Sequence, residues 1–494
     1  MIIACKNFRD ADARLDEMFV RVEMCWVRIS NQLDVTRELE ATISPSDRDL
    51  QERVLCILKG KLDVAIHKVT KLAVKPVLSM ISKFRFVTLK AALTETIVEL
   101  ESWQRSYEPS WFHLIKLAPP KIEMTLKDIV IKQPDAETTK PHKVAKKFRE
   151  ALHEPAKQMQ QPTSEPTTSK DSVFIAEKSL SRCQTHDIPF CSAVFAQRSE
   201  GSKHLIIDPV TSGAVQESDA VDFAKRFENA DPFVFGLLSC KGVVRKYGNN
   251  RTMSFLFNVP TDYTVVWGLR QLLLSGMGHD SLTDRLEVAR NLVSAVYYIH
   301  LYGFVHKNIR PETILNLARP GDTGLPAKAF LVGFQVIRNA DGATYTVFEP
   351  TGWETNLYRH PLQQGNNIAH YVMQHDMYSL GVCLLEIGLW SSFVTYGPHW
   401  AAQPSPTLAL SPDRAELKDP VLLKNHLVTL SRSSALRSKM GTRYAEVVET
   451  CLTCLDEDNL DFGDEKELTE EDGSATVGTR YIEKVLGIMN SLSL

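Results

Sequence analysis

The sequence has no long apolar run, and this absence argues against a membrane-spanning helix. No stretch reaches the ~18 apolar residues that a membrane-spanning helix requires. The start of the chain, Met1–Cys5, is too short an apolar segment for a secretion signal. We therefore expect a cytoplasmic protein that is at most peripheral to a membrane.

The sequence also has no excess of one charge and no regular pattern of cysteines. A formal net charge of −3 provides no bulk attraction to nucleic acid, so no nucleic-acid partner is expected. The nine cysteines are scattered and odd in number, which argues against a disulfide framework. Cys451 and Cys454 form a lone C-x-x-C pair without a second pair, so no metal site is expected.

What the chain does have is enough apolar residues for several cores. Its 494 residues are 44% apolar, which predicts two or three domains. In the first part of the chain, apolar residues recur every three or four positions and predict amphipathic helices over about 11–43, 46–75 and 88–107. The first stripe consists of Leu15, Met18, Val22, Trp26, Ile29 and Leu33. Helices with one apolar stripe bury it against each other, so residues 1–130 are predicted to form an antiparallel helix bundle.

A segment rich in Pro, Ser, Thr, Gln and Lys follows the predicted bundle. Residues 131–172 are interpreted as a flexible linker, because such a composition cannot bury enough apolar surface to fold alone. The segment contains a basic cluster made of Lys140, Lys143, Lys146, Lys147 and Arg149. This cluster either contacts anionic lipid or an acidic partner, or is a solvated stretch with a short helix at 144–152.

The segment His306–Leu315 resembles the catalytic loop of a protein kinase, although the residues that perform the chemistry are replaced. Kinases carry H-R-D-L-K-P-x-N there, with an Asp as general base and an Asn that holds a metal ion. His306, Arg310 and Pro311 fit this pattern, whereas Asn308 replaces the Asp and Thr313 replaces the Asn. An amide is not basic, and a general base contributes ~10²–10⁴-fold to a rate. No catalytic residue is therefore expected in this loop.

Three further motifs follow in the order that protein kinases show. Gly333 stands where the D-F-G motif has its Mg²⁺-binding Asp, while Phe334 is retained. Pro361 lies in a segment similar to Y-R-A-P-E. Asp376 and Gly381 lie in a segment similar to the large central helix of the family, where the counterpart of Asp376 braces the backbone of the catalytic loop. We interpret His306, Pro311, Pro361, Asp376 and Gly381 as scaffold residues.

The resemblance implies an α+β multidomain protein in which the helix bundle is joined to a bilobal protein-kinase-like domain. The β-rich lobe is expected at 173–260 and the helical lobe at 261–494. No G-x-G-x-x-G pattern precedes the strand predicted at 190–197. Asp208 stands near the position of the phosphate-binding Lys, and an acid there would repel phosphate. Asp222 and Glu228 are the candidates for the acidic partner of that Lys.

The nucleotide cleft is accordingly interpreted as vestigial. No cofactor is expected, with ATP kept as the alternative. The residues expected to line this cleft are Asp208, Phe257, Val259, Gly333 and Phe334.

The helical part of the chain resembles a second family. The motif Phe8–Leu15, followed by Glu23 and Trp26, is similar to the fungal HeLo-type domains linked to prion inhibition and propagation and to heterokaryon incompatibility. The segment Ser102–Phe112 resembles one found in fungal proteins that join such a bundle to a kinase-like domain. The combined architecture is similar to the mixed-lineage kinase-domain-like effectors of necroptosis. HeLo-type domains usually begin with a hydrophobic helix, whereas this chain opens a few residues before Phe8.

Three hypotheses of function follow from these patterns. The first is a catalytically inactive signalling pseudokinase, whose kinase-like domain is a docking platform or switch for the helix bundle in fungal incompatibility or cell death. The second is a divergent active protein kinase that binds ATP. The third is a membrane-active cell-death effector. Protein partners are expected, with self-association through the bundle, and a membrane surface is the alternative partner.

Overall fold

The computed structural model divides the chain into two compact units, Met1–Glu150 and Ala151–Leu494. The motif at Phe8 and the proline-rich stretch 154–172 lie outside the described residues. The structure describes residues 13–40, 45–73, 81–132, 140–153, 173–181, 183–198, 203–210, 213–246, 252–277, 281–322, 324, 328–340, 342, 352–365, 368–411, 413–462 and 473–492.

The first unit is helical, as its apolar periodicity predicts. Its helices are α1 (Ala13–Leu39), α2 (Pro45–Ala73), α3 (Ile81–Leu117), α4 (Ile122–Lys132) and α5 (Lys140–His153). Pro45 is the first residue of α2, where a missing N–H leaves no hydrogen bond unmade. The long helix α3 packs against both α1 and α2. Among the described residues, no helix is both long and apolar enough to cross a membrane.

The buried face of α1 is more polar than the predicted apolar stripe. Val22 and Ile29 are buried as expected, but the Trp26 side chain is 37% exposed. Gln32 and Thr36 are buried instead, and the Thr36 hydroxyl lies 2.6 Å from the Tyr107 hydroxyl on α3. A hydrogen-bonded hydroxyl can be buried at little cost, so apolar spacing alone missed the polar members of this face.

The helical unit extends beyond the boundary expected from composition. Helix α5 lies within residues 131–172, which the sequence had assigned to a flexible linker, yet it packs on α3. The Phe148 ring meets Phe112 edge-on at 6.0 Å, and the buried Arg149 guanidinium donates to the carbonyl oxygens of Ile115 and Lys116 at 3.2 and 2.9 Å. The unit boundary therefore lies at Glu150 rather than at residue 130.

The second unit begins with a mixed, mostly antiparallel sheet. Its strands pair in the order β1-β5-β6-β4-β3-β2, with β1 parallel to β5. The strand predicted at 190–197 begins only at Val194, because residues 188–193 form the turn from an outer strand that the sequence did not predict. The elements are β1 (Phe174–Ile175), β2 (Cys183–Asp187), β3 (Val194–Arg198), β4 (His204–Pro209), α6 (Glu217–Phe227), α7 (Pro232–Phe235), β5 (Cys240–Lys246) and β6 (Thr252–Asn258).

The remainder of this unit is a helical lobe with short strands. Helix α11 is its centre, with every residue from Gln374 to Leu389 buried. The elements are β7 (Val265–Gly268), α8 (Leu269–Ser275), α9 (Leu282–Leu301), β8 (Phe304–Val305), β9 (Ile314–Ala318), β10 (Lys328–Leu331), β11 (Arg338–Asn339), α10 (Trp353–Asn356), α11 (Met373–Leu389), β12 (Val394–Tyr396), β13 (Ala402–Pro404), α12 (Pro420–Ser431), α13 (Ser434–Met440), α14 (Thr442–Leu452), α15 (Gly473–Tyr481) and α16 (Gly487–Ser491). A π-helical turn, Ile482–Leu486, joins the last two helices.

This order of elements confirms the predicted fold class. Helices come first, then a sheet lobe, then a helical lobe, as in an α+β multidomain protein with a kinase-like unit. The loop that resembles a catalytic loop lies between β8 and β9, where the two lobes of this unit meet.

Candidate functional site

The loop His306–Leu315 is held by one buried carboxylate on α11. Asp376 accepts hydrogen bonds from the backbone N–H groups of His306 and Lys307 at 2.7 and 2.9 Å. The His300 ring and the Tyr371 hydroxyl also bond to it, at 2.8 and 2.7 Å. Burial opposes the charge of Asp376, but these hydrogen bonds and the two nearby histidines lower its pKa to about 2. Asp376 is therefore ionised and fixes the loop backbone.

The prolines and Gly381 complete this framework. Pro311 and Pro361 each begin a single 3₁₀ turn, Pro311–Thr313 and Pro361–Gln363. A Cβ atom on Gly381 would lie 3.0 Å from the Cβ of Cys451, so the absence of a side chain lets α11 approach α14 closely.

Asn308 occupies the position of the general base, and its side-chain amide is bonded within the cleft. Its Nδ2 donates to the Gly333 carbonyl oxygen at 3.2 Å and to Gln335 Oε1 at 3.3 Å. Its backbone N–H donates to His306 Nδ1 at 3.2 Å. Burial lowers the pKa of His306 to about 4, so this ring is neutral at physiological pH. Asn308 thus ties the loop to the Gly333–Gln335 segment and has no proton-accepting group of suitable basicity.

Thr313 and Gly333, which stand at the two metal-ligand positions of the kinase pattern, pack against each other. The Thr313 hydroxyl lies 2.9 Å from the carbonyl oxygens of Asn308 and Arg310, within its own loop. Gly333 has φ +82°, and a Cβ there would lie 2.2 Å from Thr313 Cγ2. A side chain at position 333 would therefore clash with Thr313. The absence of a side chain at position 333 thus matches the space that Thr313 occupies.

Asp208, at the position expected for a phosphate-binding Lys, contacts the cleft from the sheet lobe. The carboxylate is fully buried on β4, and its Oδ2 accepts from the backbone N–H groups of Gly333 and Phe334 at 2.8 and 2.9 Å. Burial raises the pKa of Asp208 to about 6, although the two N–H donors counteract this. Oδ1 has no hydrogen-bond partner within the described residues. Asp208 therefore holds the Gly333–Phe334 backbone instead of a phosphate.

An aromatic core joins the two lobes behind this carboxylate. The Phe334 ring lies 4.9 Å from the His306 ring, 4.6 Å from Phe223 on α6 and 5.5 Å from Phe257. Phe257 was expected to line the cleft, and the structure places its ring within this core. Val259 is also buried, and its N–H donates to the His204 carbonyl oxygen at 3.1 Å. The core holds Phe334 between the sheet and the catalytic-like loop.

The structure shows the surroundings of the two acidic residues proposed as partners of the missing Lys. Asp222 forms an ion pair with Arg226 one turn along the helix, at 2.8 Å. Glu228 is exposed and follows the end of α6. Within the described residues, no group of three or more His, Cys, Asp or Glu side chains could hold a metal ion. Burial raises the pKa of Cys451 to about 12, so the thiol of this C-x-x-C pair stays protonated.

Basic side chains line the catalytic-like loop on the side of the helical lobe. Burial lowers the pKa of Lys307 to about 8, and Arg338 lowers it further, while Asp376 counteracts both. Burial and the charge of Arg310 lower the pKa of Arg359. A small cavity beneath the loop is lined by Lys307, Arg359, His360, Gln363, Tyr371, His375 and Ser379. Among the described residues, the cleft therefore has cations on its helical side and the buried acid Asp208 on its sheet side.

The turn between β2 and β3 contacts both the Gly333–Gln335 segment of the cleft and the helical lobe. The Phe190 ring stacks on Tyr396 at 5.1 Å, and Gln335 Nε2 donates to the Ser192 hydroxyl. The sequence analysis missed these residues because it assigned Phe190 to a strand. The signal that could have located the turn is Pro189, which favours the second position of a β-turn.

Comparisons with known proteins find similarity to kinases over part of the chain. No family model matches it. Over 151 residues the chain is 30% identical to a serine/threonine-protein kinase-like protein of Arabidopsis thaliana, a match that covers 30% of this chain and 36% of the relative. Over 112 residues it is 34% identical to eukaryotic translation initiation factor 2-alpha kinase 1 of Mus musculus, which covers 20% of this chain and 16% of that kinase.

The chain thus spans about a third of the length of the first relative and about a sixth of the second. Together with the order of helices, sheet lobe and helical lobe, this similarity supports a protein-kinase-like domain that follows a helical unit.

Proposed function

We propose that this protein is a catalytically inactive signalling pseudokinase, in which the kinase-like unit works by docking or by a change of conformation. The observation that carries the proposal is the bonding of Asn308. Its amide bridges the Gly333 carbonyl oxygen and the Gln335 side chain, where a general base would have to face a substrate hydroxyl. An amide at this site holds the loop in place and cannot accept a proton from a substrate hydroxyl.

The cleft residues do not fit a magnesium–nucleotide complex. A kinase holds its metal ions with an Asp and an Asn, and pairs the phosphates with a Lys. The corresponding residues here are Gly333, Thr313 and Asp208, and the Asp208 carboxylate accepts from two backbone N–H groups. We therefore assign no cofactor to this cleft and derive no phosphotransfer step.

The proposal extends to the helical unit as the partner that the kinase-like unit controls. The motif at Phe8 and the segment Ser102–Phe112 are similar to fungal HeLo-type proteins, which favours a role in incompatibility or cell-death signalling. In this proposal the protein is cytoplasmic and its partners are proteins, including further copies of the chain through the helical unit.

A phosphotransfer assay tests the proposal directly. The full chain is incubated with radiolabelled ATP, a general protein substrate and either Mg²⁺ or Mn²⁺, beside the variant Asn308→Ala. We expect no transfer above background from either protein. Transfer by the wild type that is lost in Asn308→Ala would show a divergent active kinase and overturn the proposal.

Thermal melting with ATP tests nucleotide binding separately from chemistry. Ligand that binds only the folded protein stabilises it by RT ln(1 + [L]/Kd), about 2.7 kcal/mol at a hundredfold excess over Kd. We expect ATP to leave the melting temperature unchanged with or without Mg²⁺. A metal-dependent rise would contradict the assignment of no cofactor.

The membrane-active alternative rests on a specific feature of the helical unit. Apolar side chains on α1 and α2 are exposed, among them Val20, Met24, Ile57 and Val64. Dye release from anionic liposomes by the full chain would favour this alternative. We expect no release, since these residues are interspersed with charged side chains along both helices.

A further inference from the structure

The turn Ile188–Cys191, between β2 and β3, has an unfavourable residue at its third position. The N–H of Cys191 donates to the Ile188 carbonyl oxygen at 3.0 Å, which closes a four-residue turn. Pro189 suits the second position, but Phe190 at the third position has φ +63°. A positive φ there is typical of glycine, and a bulky side chain makes this conformation strained.

The opposite side of the cleft mouth has the same kind of strain. His399 and Trp400 follow β12 in the helical lobe and have φ +60° and +61°. The Phe190 ring lies 5.1 Å from the Tyr396 ring and 5.8 Å from the Trp400 ring, and these last two rings are 6.0 Å apart. We call Phe190, Tyr396 and Trp400 the aromatic clasp. Strained residues from both lobes therefore meet in one aromatic cluster.

The turn is also held by a hydrogen bond to Gln335 and lies close to a neighbouring strand. The Gln335 side chain donates to the Ser192 hydroxyl, directly after the segment that Asp208 holds. A Cβ atom on Gly268, at the end of β7, would lie 3.0 Å from the Pro189 carbonyl oxygen, so the turn lies close against the strand that joins the lobes. The turn is thus bonded to the Gln335 side chain and lies close to the end of β7.

We propose that the turn Ile188–Ala193 is an autoinhibitory lid, which the aromatic clasp holds shut and which opens when a protein partner engages the cleft. The lid rests on the proposed function, because a cleft without phosphotransfer can be closed by its own chain and still act as a switch. Ring contacts across the mouth stabilise the closed lid, and the backbone strain at Phe190, His399 and Trp400 opposes them. Loss of one ring therefore shifts the balance towards the open lid.

The labelling rate of the Cys191 thiol, which lies within the lid, reports whether the lid is open or closed. Burial raises the pKa of its thiol to about 12, so the closed lid keeps it protonated and slow to react. Cys191 is half-buried in the closed lid, so opening would expose its thiol further to water and lower its pKa. The test is peptide-resolved alkylation of the full chain, comparing the wild type with Trp400→Ala and Phe190→Ala. We expect each substitution to speed the labelling of Cys191 about two- to tenfold, the shift in lid opening that loss of one aromatic pair produces.

Controls within the same chain separate lid opening from unfolding. Cys56 is exposed and Cys451 is buried, so neither labelling rate should change. Trp400 is 74% exposed, so its truncation leaves the core intact, and Phe190→Ala removes a ring of the clasp while the strain at φ +63° remains. Phe233→Ala serves as the matched aromatic control, because Phe233 is 52% exposed and packs on Tyr263, outside the clasp.

The outcomes for the lid and for the proposed function are distinct. An unchanged Cys191 rate in both clasp variants, or an equal rise at Cys191 and Cys451, would overturn the lid and leave the inactive pseudokinase standing. Phosphotransfer by the wild type would overturn the proposed function, whereas a selective rise at Cys191 would still establish the lid.

Discussion

A single carboxylate oxygen of Asp208 holds the backbone of the cleft segment. The charge of this carboxylate depends on pH. Its Oδ2 accepts from the N–H groups of Gly333 and Phe334, and the thiols of Cys191 and Cys240 are near enough for its charge to raise their pKa values. Burial raises the pKa of Asp208 from 3.8 to about 6. The folded chain therefore holds this proton more tightly than the unfolded chain, and the resulting stabilisation is complete below about pH 4 and lost as the pH rises through 6.

The variant Asp208→Asn should remove this dependence on pH. Its amide oxygen can accept the same two N–H groups and stays neutral at every pH. Relative to the variant, the wild type should lose up to about 3 kcal/mol of unfolding free energy between pH 4 and pH 7. Melting temperatures of both proteins at pH 5, 6 and 7 measure the difference, which should grow with pH in favour of the variant. A difference that is the same at all three values would contradict the pKa of about 6.

Restoring an aspartate at position 333 should damage the fold rather than restore metal binding. Gly333→Asp places a side chain at φ +82° and within 2.6 Å of Thr313 Cβ. We expect a loss of roughly 2–4 kcal/mol, from backbone strain and overpacking together. Gly365→Asp is the matched control, because Gly365 has φ +80° with nothing within 4 Å of its Cβ position. Equal losses of melting temperature in the two variants would show that contact with Thr313 is unimportant.

At the scale of elements, the sequence predicts those whose motif or periodicity is strong. The catalytic-like loop, α9 and α11 could be located because their spacing matches the kinase pattern. Strand β2 could not be located from the sequence. Its residues, Cys183–Asp187, are mostly exposed and do not alternate between buried and exposed positions. A short helix at 144–152 was one reading of the lysine-rich segment, but its packing was not expected, although Ala145 and Phe148 are buried one turn apart. The lid was missed because a bulky residue occupies a turn position that favours glycine.

A buried ion network joins elements that are far apart in sequence. Arg270 on α8 contacts Glu386 on α11 at 3.0 Å and Glu312 in the catalytic-like loop at 3.1 Å, and it donates to the Tyr358 hydroxyl at 2.7 Å. Burial opposes the charge of Arg270, but Tyr358 and the two carboxylates raise its pKa well above the usual value. The arginine is therefore charged and holds the loop to the centre of the helical lobe.

Removing this arginine should destabilise the kinase-like unit strongly. Arg270→Met leaves the Glu386 carboxylate, which is fully buried, without its cation, and such a loss costs about 3–5 kcal/mol. Arg432→Met is the control, because its pair with Glu449 is exposed and is worth at most about 1 kcal/mol. Denaturant unfolding followed by near-ultraviolet circular dichroism compares the two. A similar effect of both substitutions would show that the buried network contributes little.

For the whole molecule, the structure places the boundary between its two units inside the segment that composition assigned to a linker. Arg149 and Phe148 bring α5 onto α3, so the basic cluster at 140–149 belongs to the helical unit. Its lysines remain partly or fully exposed, whereas Arg149 is buried. A lipid or acidic partner would therefore meet a folded helix rather than a flexible chain.

A pair of fragments tests this boundary. Residues 1–153 include α5, and residues 1–138 end before it and uncover the rings of Trp111 and Phe112, which are buried in the full chain. Phe148→Ala in the longer fragment should cost about 3–5 kcal/mol and lower its melting temperature by ~10 °C. The shorter fragment should melt lower still, or without cooperativity. Lys147→Ala is the control on the exposed face of α5 and should change the melting temperature by less than ~2 °C. If both fragments melted at the same temperature, α5 would contribute nothing to the helical unit and the boundary would return to residue 130.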